Sequence, residues 1–395
     1  MAHTRKIKVL HAITRLDRGG SSENTLLSVI GLSGKDYEVD LMAGRTENVN
    51  ERLIKLAENS GVRIIFEEDL IRDIHPLRDL IAFLKIFAFI RKNKYDIIHA
   101  HSHKAGLLFR AAGRLAGVKA LVYTPHGHVF YAYFGKIVTG MVILAEKLAA
   151  LFTDSIIGLT DSECAEWLRF GIGRKEQYTS IPSGLDFAML EEQALRGENF
   201  RTGLGIPDDS VLIGSIGRFT EIKGYDYFID AAISQIRKRD NVYFLLAGEG
   251  ALKKRYEEKI ISAGAEKRFF VKGWQKNAGP VLKSLDVFVL SSLNEGMGRV
   301  IIEAMFFKKP VIATCVGGVP SVMSGNVGIL IKPGSAEAVF EAIDKLLDNR
   351  ESAVRMGQAG YEKARKEYSS DLMVDRLDKL YRRFSGDWQK NGKTV

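Results

Sequence analysis

The sequence predicts an α/β protein made of two doubly wound parallel-sheet domains, and three observations carry that prediction. Short apolar runs recur about every 30 positions with helical periodicity between them, the pattern of repeated βαβ units. The pattern lapses once, into a polar, glutamate-rich stretch within 184–208, and restarts at Val211. A chain of 395 residues is too long for one ordinary core and suits two.

In chain order, apolar and β-branched runs place strands at residues 7–13, 37–42, 62–66, 96–101, 121–124, 155–159 and 178–181. Helical segments at 77–91, 106–115 and 138–152 separate them. The second half gives strands at 211–216, 242–247, 269–271, 287–290, 311–313 and 328–331. Helical stretches at 336–347 and 352–367 lead to a last one at 371–384, followed by a polar tail. The expected domains are therefore 1–190, 191–370 and a C-terminal segment 371–395 whose helix crosses back to the first domain. Open sheets of this kind take ligands beyond the carboxyl ends of their strands.

Composition narrows the function classes. Hydrophobic residues at 46% and charged residues at 27% are those of a globular protein, which sets disorder and fibrous classes aside. Two cysteines far apart, Cys164 and Cys315, fit a reducing compartment without disulfides. The polar, basic start is no signal peptide, so the expected address is the cytoplasm. The most apolar region, 129–152, has an uncharged core of only 137–145 between Lys136 and Glu146, short of the roughly 20 residues a spanning helix needs. With Tyr131, Tyr133, Phe134 and Lys136, that region suits either a membrane surface or ordinary core packing. The net charge of +9 admits an anionic partner, but no zinc finger, helix-turn-helix or stacked-aromatic signature accompanies it, so nucleic acid is not expected.

The stretch "SSLNEGMGRVIIEAMFFKKPVIAT", residues 291–314, sets Glu295 in a loop at a strand's carboxyl end. Gly296, Met297 and Gly298 follow, the two glycines permitting close backbone approach. A helix starting near Gly298 would present unpaired N–H groups to a phosphate oxygen, and Glu303, a further turn along, could reach hydroxyls of a sugar or ribose. The plain alternative is a helix cap and a surface charge. "SIGRFTEIKGYDYFIDA", residues 215–231, places Gly217, Arg218 and Lys223 after the first strand of the same domain, a cation pair suited to a diphosphate. "LLAGEG", residues 245–250, adds a glycine turn at Gly248.

Together these motifs resemble glycosyltransferase family 4, retaining enzymes of the GT-B architecture in which two Rossmann-like domains face each other across a cleft. The resemblance spans nearly the whole chain. It is most specific in "EGMGRVIIE" with its flanks and the upstream "GRFTEIKG". It implies that Arg218 and Lys223 hold the donor diphosphate, that Glu295 with the backbone of Gly296 to Gly298 holds the transferred sugar, and that Glu303 binds ribose. It also implies that the base lies near Lys272, Gly273 and Trp274, and that closure of the domains gates catalysis.

All eight histidines lie at or before residue 128. "HAHSH" (His99, His101, His103) and "HGH" (His126, His128) raise a metal-dependent hydrolase, since alternate strand residues share a face. Against it, the His-x-His-x-Asp-His pattern is broken at His103, and no Asp-x-Asp occurs in the chain. His99 and His101 are expected to be packed or hydrogen-bonded at a strand end, and no metal is expected. "YTPHGH" resembles the family's first-domain loop, which implies that His126 contacts the donor sugar. Gly19 and Gly20 lack the third glycine of a dinucleotide fingerprint and instead resemble the family's glycine loop over the donor phosphates; a simple turn is the alternative.

The function implied is retaining, metal-independent transfer of a hexose or N-acetylhexosamine from a nucleoside diphosphate sugar, UDP-linked by preference, to a saccharide hydroxyl. The favoured acceptor is carried on polyprenyl diphosphate for a surface polysaccharide, with the enzyme at an anionic membrane. A nucleotide-sugar 2-epimerase and a non-catalytic polysaccharide binder are the alternatives.

Overall fold

The computed structural model describes residues 5–47, 49–127 and 135–390, which excludes His128 and the aromatic residues up to Phe134. The chain divides into two compact units, Met1–Gly184 with Ser370–Val395, and Leu185–Ser369. The first contains β1 (Ile7–Ile13), α1 (Gly20–Leu32), β2 (Tyr37–Gly44), α2 (Glu51–Asn59), β3 (Arg63–Glu67), α3 (Pro76–Asn93) and β4 (Ile97–His101). It continues with α4 (His103–Leu115), β5 (Ala120–Thr124), α5 (Lys136–Ala150), β6 (Ser155–Gly158), α6 (Asp161–Arg169) and β7 (Tyr178–Ser180). Its seven strands run in the order β3-β2-β1-β4-β5-β6-β7 and pair in parallel. Every residue of β4 and β5 is buried, as a parallel sheet with helices on both faces requires.

The second unit contains α7 (Phe187–Arg196), α8 (Phe200–Gly203), β8 (Val211–Ile216), α9 (Tyr225–Lys238), β9 (Val242–Ala247), α10 (Lys253–Ser262) and β10 (Phe269–Lys272). It closes with α11 (Gly279–Ser284), β11 (Val287–Leu290), α12 (Arg299–Phe306), β12 (Val311–Thr314), α13 (Val319–Val322), β13 (Gly328–Ile331), α14 (Ala336–Asp348) and α15 (Arg350–Glu367). Its order, β10-β9-β8-β11-β12-β13, reverses between β8 and β11 as the first sheet reverses between β1 and β4. The last helix, α16 (Ser370–Lys390), belongs to the first unit. There the Met373 sulfur accepts from Asn24 Nδ2 at 3.1 Å, Tyr37 Oη donates to Asp378 at 2.7 Å, and Arg382 pairs with Asp36 at 2.6 Å.

Two places differ from the sequence expectation. Where the sequence shows only a polar lapse within 184–208, the structure holds α7 and α8, capped by the Asp186 and Asn199 side chains. Both helices bury few residues, Met189, Leu190 and Ala194 in one and Phe200 in the other, so neither shows a clear apolar period. The second difference is α5. Core packing does not account for its apolar content, because the buried residues are Glu146, Ala149 and Ala150 while Ile137, Met141, Leu144 and Leu148 are exposed. Glu146 faces inward because Arg110, itself fully buried, meets it at 2.6 Å, and Tyr123 donates to it at 2.9 Å. Burial alone would raise the Glu146 carboxyl; Arg110 and His103 outweigh it and hold it at about 2.

Buried ionisable groups in the first unit set its pH response. Burial lowers His11 to about 3 and pushes His99 and His101 well below their ordinary 6.5, so the unfolded chain binds protons these rings refuse. Their contribution is complete above 6.5 and is lost as pH falls toward the folded values. Glu163 runs the other way: burial raises it from 4.5 to about 7, so stability declines as pH rises through that window. We expect the thermal midpoint to climb from about pH 4 to about pH 6.5 because three histidines oppose one glutamate, and to climb more steeply in Glu163→Gln. A parent midpoint that falls over this range would contradict the buried, neutral histidines.

Candidate functional site

At the switch point of the second sheet, the loops leaving β8 and β11 run side by side. Leu293 N donates to the Ile222 carbonyl at 2.7 Å and Ser291 Oγ to the Lys223 carbonyl at 3.1 Å, which ties the two loops together. Gly224 makes this possible: its φ is +60°, and a Cβ there would lie 2.2 Å from the Ser291 carbonyl oxygen. Lys223 Nζ then meets Glu295 Oε1 at 2.6 Å, and Ser292 Oγ donates to the same oxygen at 2.7 Å. The two side chains are 24% and 13% exposed, buried enough to strengthen the pairing and open enough to admit a ligand. An ammonium has three donors, so Lys223 keeps others for a second anion. No partner for Glu295 Oε2 is found among the described residues.

Behind Glu295, the loop after β12 closes in. Gly318 N donates to the Gly296 carbonyl at 2.8 Å, and Gly317, at φ +49°, has no room for a side chain because a Cβ would lie 1.8 Å from the Glu295 carbonyl oxygen. Met297 is buried, so its contribution to a ligand is backbone only. Gly298, in the left-handed region, is the N-cap of α12 and supplies no side-chain hydrogen bond, which leaves first-turn N–H groups for an anion. Glu303 lies on α12, its Oε1 3.5 Å from Arg299 Nε. Gly217 and Arg218 follow β8; Arg218 is exposed and has no ion-pair partner among the described residues. Gly248 ends β9 against Gly217, where a Cβ would lie 1.9 Å from the Gly217 carbonyl oxygen. Gly273 and Trp274 follow β10 at the sheet edge, the tryptophan 46% exposed. The structure thus gathers Lys223, Glu295 and the α12 N-terminus tightly. Ser292 and the Gly317–Gly318 loop, which orient Glu295, went unnoticed in the sequence; the paired serines after β11 were the available signal.

In the first unit, Gly19 is the N-cap of α1 and Gly20 its first residue, directly after the β1 loop. The histidines form a different assembly. β1 and β4 pair with His11 opposite His99 and Ile13 opposite His101. His11 Nδ1 lies 3.0 Å from His101 Nε2, and His101 Nδ1 lies 2.9 Å from His126 Nε2. His99 bonds Tyr381 Oη and Thr124 Oγ1, each at 2.7 Å, and Tyr381 Oη bonds His11 Nε2 at 3.2 Å. Ligand nitrogens of His11, His99 and His101 lie within 4.8 Å of one another, yet all six ring nitrogens already have protein partners that a metal ion would have to displace. His103 instead meets Glu146 at 3.1 Å. His126 sits at φ +60°, and the next residue, Gly127, donates its N–H at 2.9 Å to buried Glu163.

Two Rossmann-like units in tandem are the GT-B fold, as comparison with solved structures shows. HepE of Anabaena in complex with UDP-glucose is 20% identical with a TM-score of 0.78, covering 95% of this chain and 100% of that one. A sucrose-phosphate synthase of Thermosynechococcus elongatus is 21% identical with a TM-score of 0.77, covering 97% and 100%. Residues 19–188 match the model described as Glycosyltransferase Family 4, and residues 197–363 match Glycosyl transferases group 1. The chain is a glycosyltransferase, and it belongs to family 4. Among named relatives, the Escherichia coli UDP-Gal:alpha-D-GlcNAc-diphosphoundecaprenol alpha-1,3-galactosyltransferase is 28% identical, over 87% of this chain and 89% of that enzyme. The capsular polysaccharide biosynthesis glycosyltransferase CapM of Staphylococcus aureus is 24% identical, over 79% and 83%.

The groups that orient Glu295 give a direct test. A hydrogen bond to a charged group is worth about 1.5–3 kcal/mol, so Ser292→Ala should lower the transfer rate about tenfold with the melting midpoint nearly unchanged. Gly317→Ala, which forces its Cβ onto the Glu295 carbonyl, should lower it further. Rates within about twofold of the parent for both variants would show that the orientation of Glu295 does not matter.

Proposed function

We propose that the protein transfers a hexose or N-acetylhexosamine from a UDP-sugar to a hydroxyl of a lipid-linked saccharide, with retention of the donor's configuration, in the building of a surface polysaccharide. The observation that carries this reading is the cluster at the β8–β11 switch point, where Lys223, Glu295 and the start of α12 converge beside an open Arg218. Arg218, Lys223 and the α12 N–H groups take the diphosphate and stabilise the charge it gains on leaving. Glu295, through its open oxygen, and the Gly296–Gly298 backbone hold the sugar. Glu303 binds the ribose, Gly273 and Trp274 lie by the base, and Gly19 and Gly20 serve the phosphates from the first unit. His126 acts on the transferred sugar.

In the proposed reaction, the acceptor oxygen forms a bond to the anomeric carbon on the face from which the diphosphate departs. The anomeric carbon–oxygen bond breaks with its electron pair going to the diphosphate, and a phosphate oxygen takes the acceptor's proton. No metal ion and no carboxylate base is needed, since the protein's own cations carry the charge. UDP as nucleotide and a polyprenyl-diphosphate acceptor are supported by the names of the HepE complex and the Escherichia coli relative.

The exposed apolar stripes suggest where a lipid-linked acceptor is met. α3 exposes Leu77, Leu80 and Leu84, and α5 exposes Ile137, Met141, Leu144 and Leu148, with Arg78, Lys136 and Lys147 exposed beside them. α4 packs against both helices. We propose that these faces lie on an anionic membrane; among the described residues, no helix is long and apolar enough to cross one.

Mass spectrometry of products from UDP-sugars and lipid-linked saccharides tests the reaction, with EDTA present in a parallel sample. We expect a product one sugar heavier, unaffected by EDTA, and a fall of about 100- to 1,000-fold for Arg218→Ala, Lys223→Ala or Glu295→Ala. Activity lost in EDTA and restored by one divalent ion, or an epimer released without acceptor, would overturn the mechanism. Separately, Met141→Glu with Leu144→Glu should abolish co-sedimentation with anionic vesicles at physiological salt while leaving transfer to a water-soluble acceptor intact; unchanged sedimentation would move the membrane contact elsewhere.

A further inference from the structure

Five hydrogen bonds in the first unit link Thr124, His99, Tyr381, His11, His101 and His126 in that order. Burial keeps His11, His99 and His101 neutral and Tyr381 a phenol, so each ring or hydroxyl brings a single proton. A chain of such groups has only two self-consistent senses, and choosing one link chooses them all. In one sense the Thr124 hydroxyl donates to His99 Nε2, His99 Nδ1–H to Tyr381, Tyr381 to His11 Nε2, His11 Nδ1–H to His101 Nε2, and His101 Nδ1–H to His126 Nε2. In the opposite sense His99 donates to Thr124, whose own proton then has no acceptor among the described residues, at a position 3% exposed. An unplaced buried hydroxyl proton is costly, which selects the first sense.

We propose that Thr124, His99, Tyr381, His11 and His101 are positioning residues that fix His126 as the tautomer carrying its proton on Nδ1 with its lone pair on Nε2. With that lone pair taken by the His101 N–H, His126 does not serve as a base through Nε2. Its positive φ and the Gly127–Glu163 bond hold the ring beside His101. The catalytic consequence rests on the reading of His126 as a residue that acts on the sugar; the tautomer does not.

The test is ring-nitrogen NMR of the full chain labelled with 15N-histidine, with His126 assigned by its loss in His126→Asn. The parent should show Nδ1 protonated and Nε2 unprotonated. Tyr381→Phe removes the middle link and Thr124→Val the first donor; the second variant covers failure of the first to fold. Each should show both tautomers of His126 and a kcat lowered about 5- to 10-fold, with KM for the sugar donor within about twofold. In a His126→Asn background, Tyr381→Phe should change kcat less than about twofold, whereas a merely structural role would lower it equally in both backgrounds. A parent protonated on Nε2, or a tautomer unmoved in both variants, overturns the proposal. If the tautomers behave as stated but His126→Asn transfers at the parent rate, the relay stands and the reading of His126 in the reaction falls.

Discussion

The reversal of strand order within each sheet is the constraint on which both side-chain clusters depend. Where the order reverses, the two central strands send their following segments to opposite faces, and a crevice opens between them. In the second unit this brings Lys223 and Glu295, 72 positions apart, into contact, and two loop-to-loop hydrogen bonds keep them there. In the first unit the same reversal sets β1 beside β4 and so brings the His11 ring against His99 and His101. Neither arrangement needs an unusual backbone beyond a few left-handed residues, because the topology does the placing.

The two clusters use burial differently. Lys223 and Glu295 keep part of their surface in water, so their mutual attraction is moderate and a second anion can compete for the ammonium. His11, His99 and His101 are fully buried and therefore neutral, and their contacts are hydrogen bonds rather than ion pairs. Arg110 and Glu146 are a third case, an ion pair sealed inside, where losing either partner would strand the other's charge. That pair lets α5 turn its single glutamate inward and its leucines outward.

What the sequence made legible was local. The strands of both sheets, the loop after β8 and the glutamate spacing around α12 are each written within a few dozen consecutive residues, where periodicity and glycine placement act directly. α7 was hidden because it buries only Met189, Leu190 and Ala194 and leaves the apolar Leu195 exposed. The orientation of α5 was hidden because it depends on Arg110, on a different helix. Tyr381 was beyond reach for the same reason: it meets His99 across 282 positions, and nothing local in α16 marks one tyrosine as a hydrogen-bond partner. His99 and His101 were rightly expected to be hydrogen-bonded at a strand end, but their partners come from α16, β5, β1 and the loop after β5.

The return of α16 to the first unit has a temporal consequence. A ribosome releases residues in order, and domains tend to fold as their chains emerge. The second unit, drawn from Leu185–Ser369 alone, has all of its sequence before α16 leaves the exit tunnel, while the first waits with an open flank. During synthesis, Met373, Asp378 and Tyr381 therefore reach their partners last, and the earlier-made half of the enzyme is the later one to be finished.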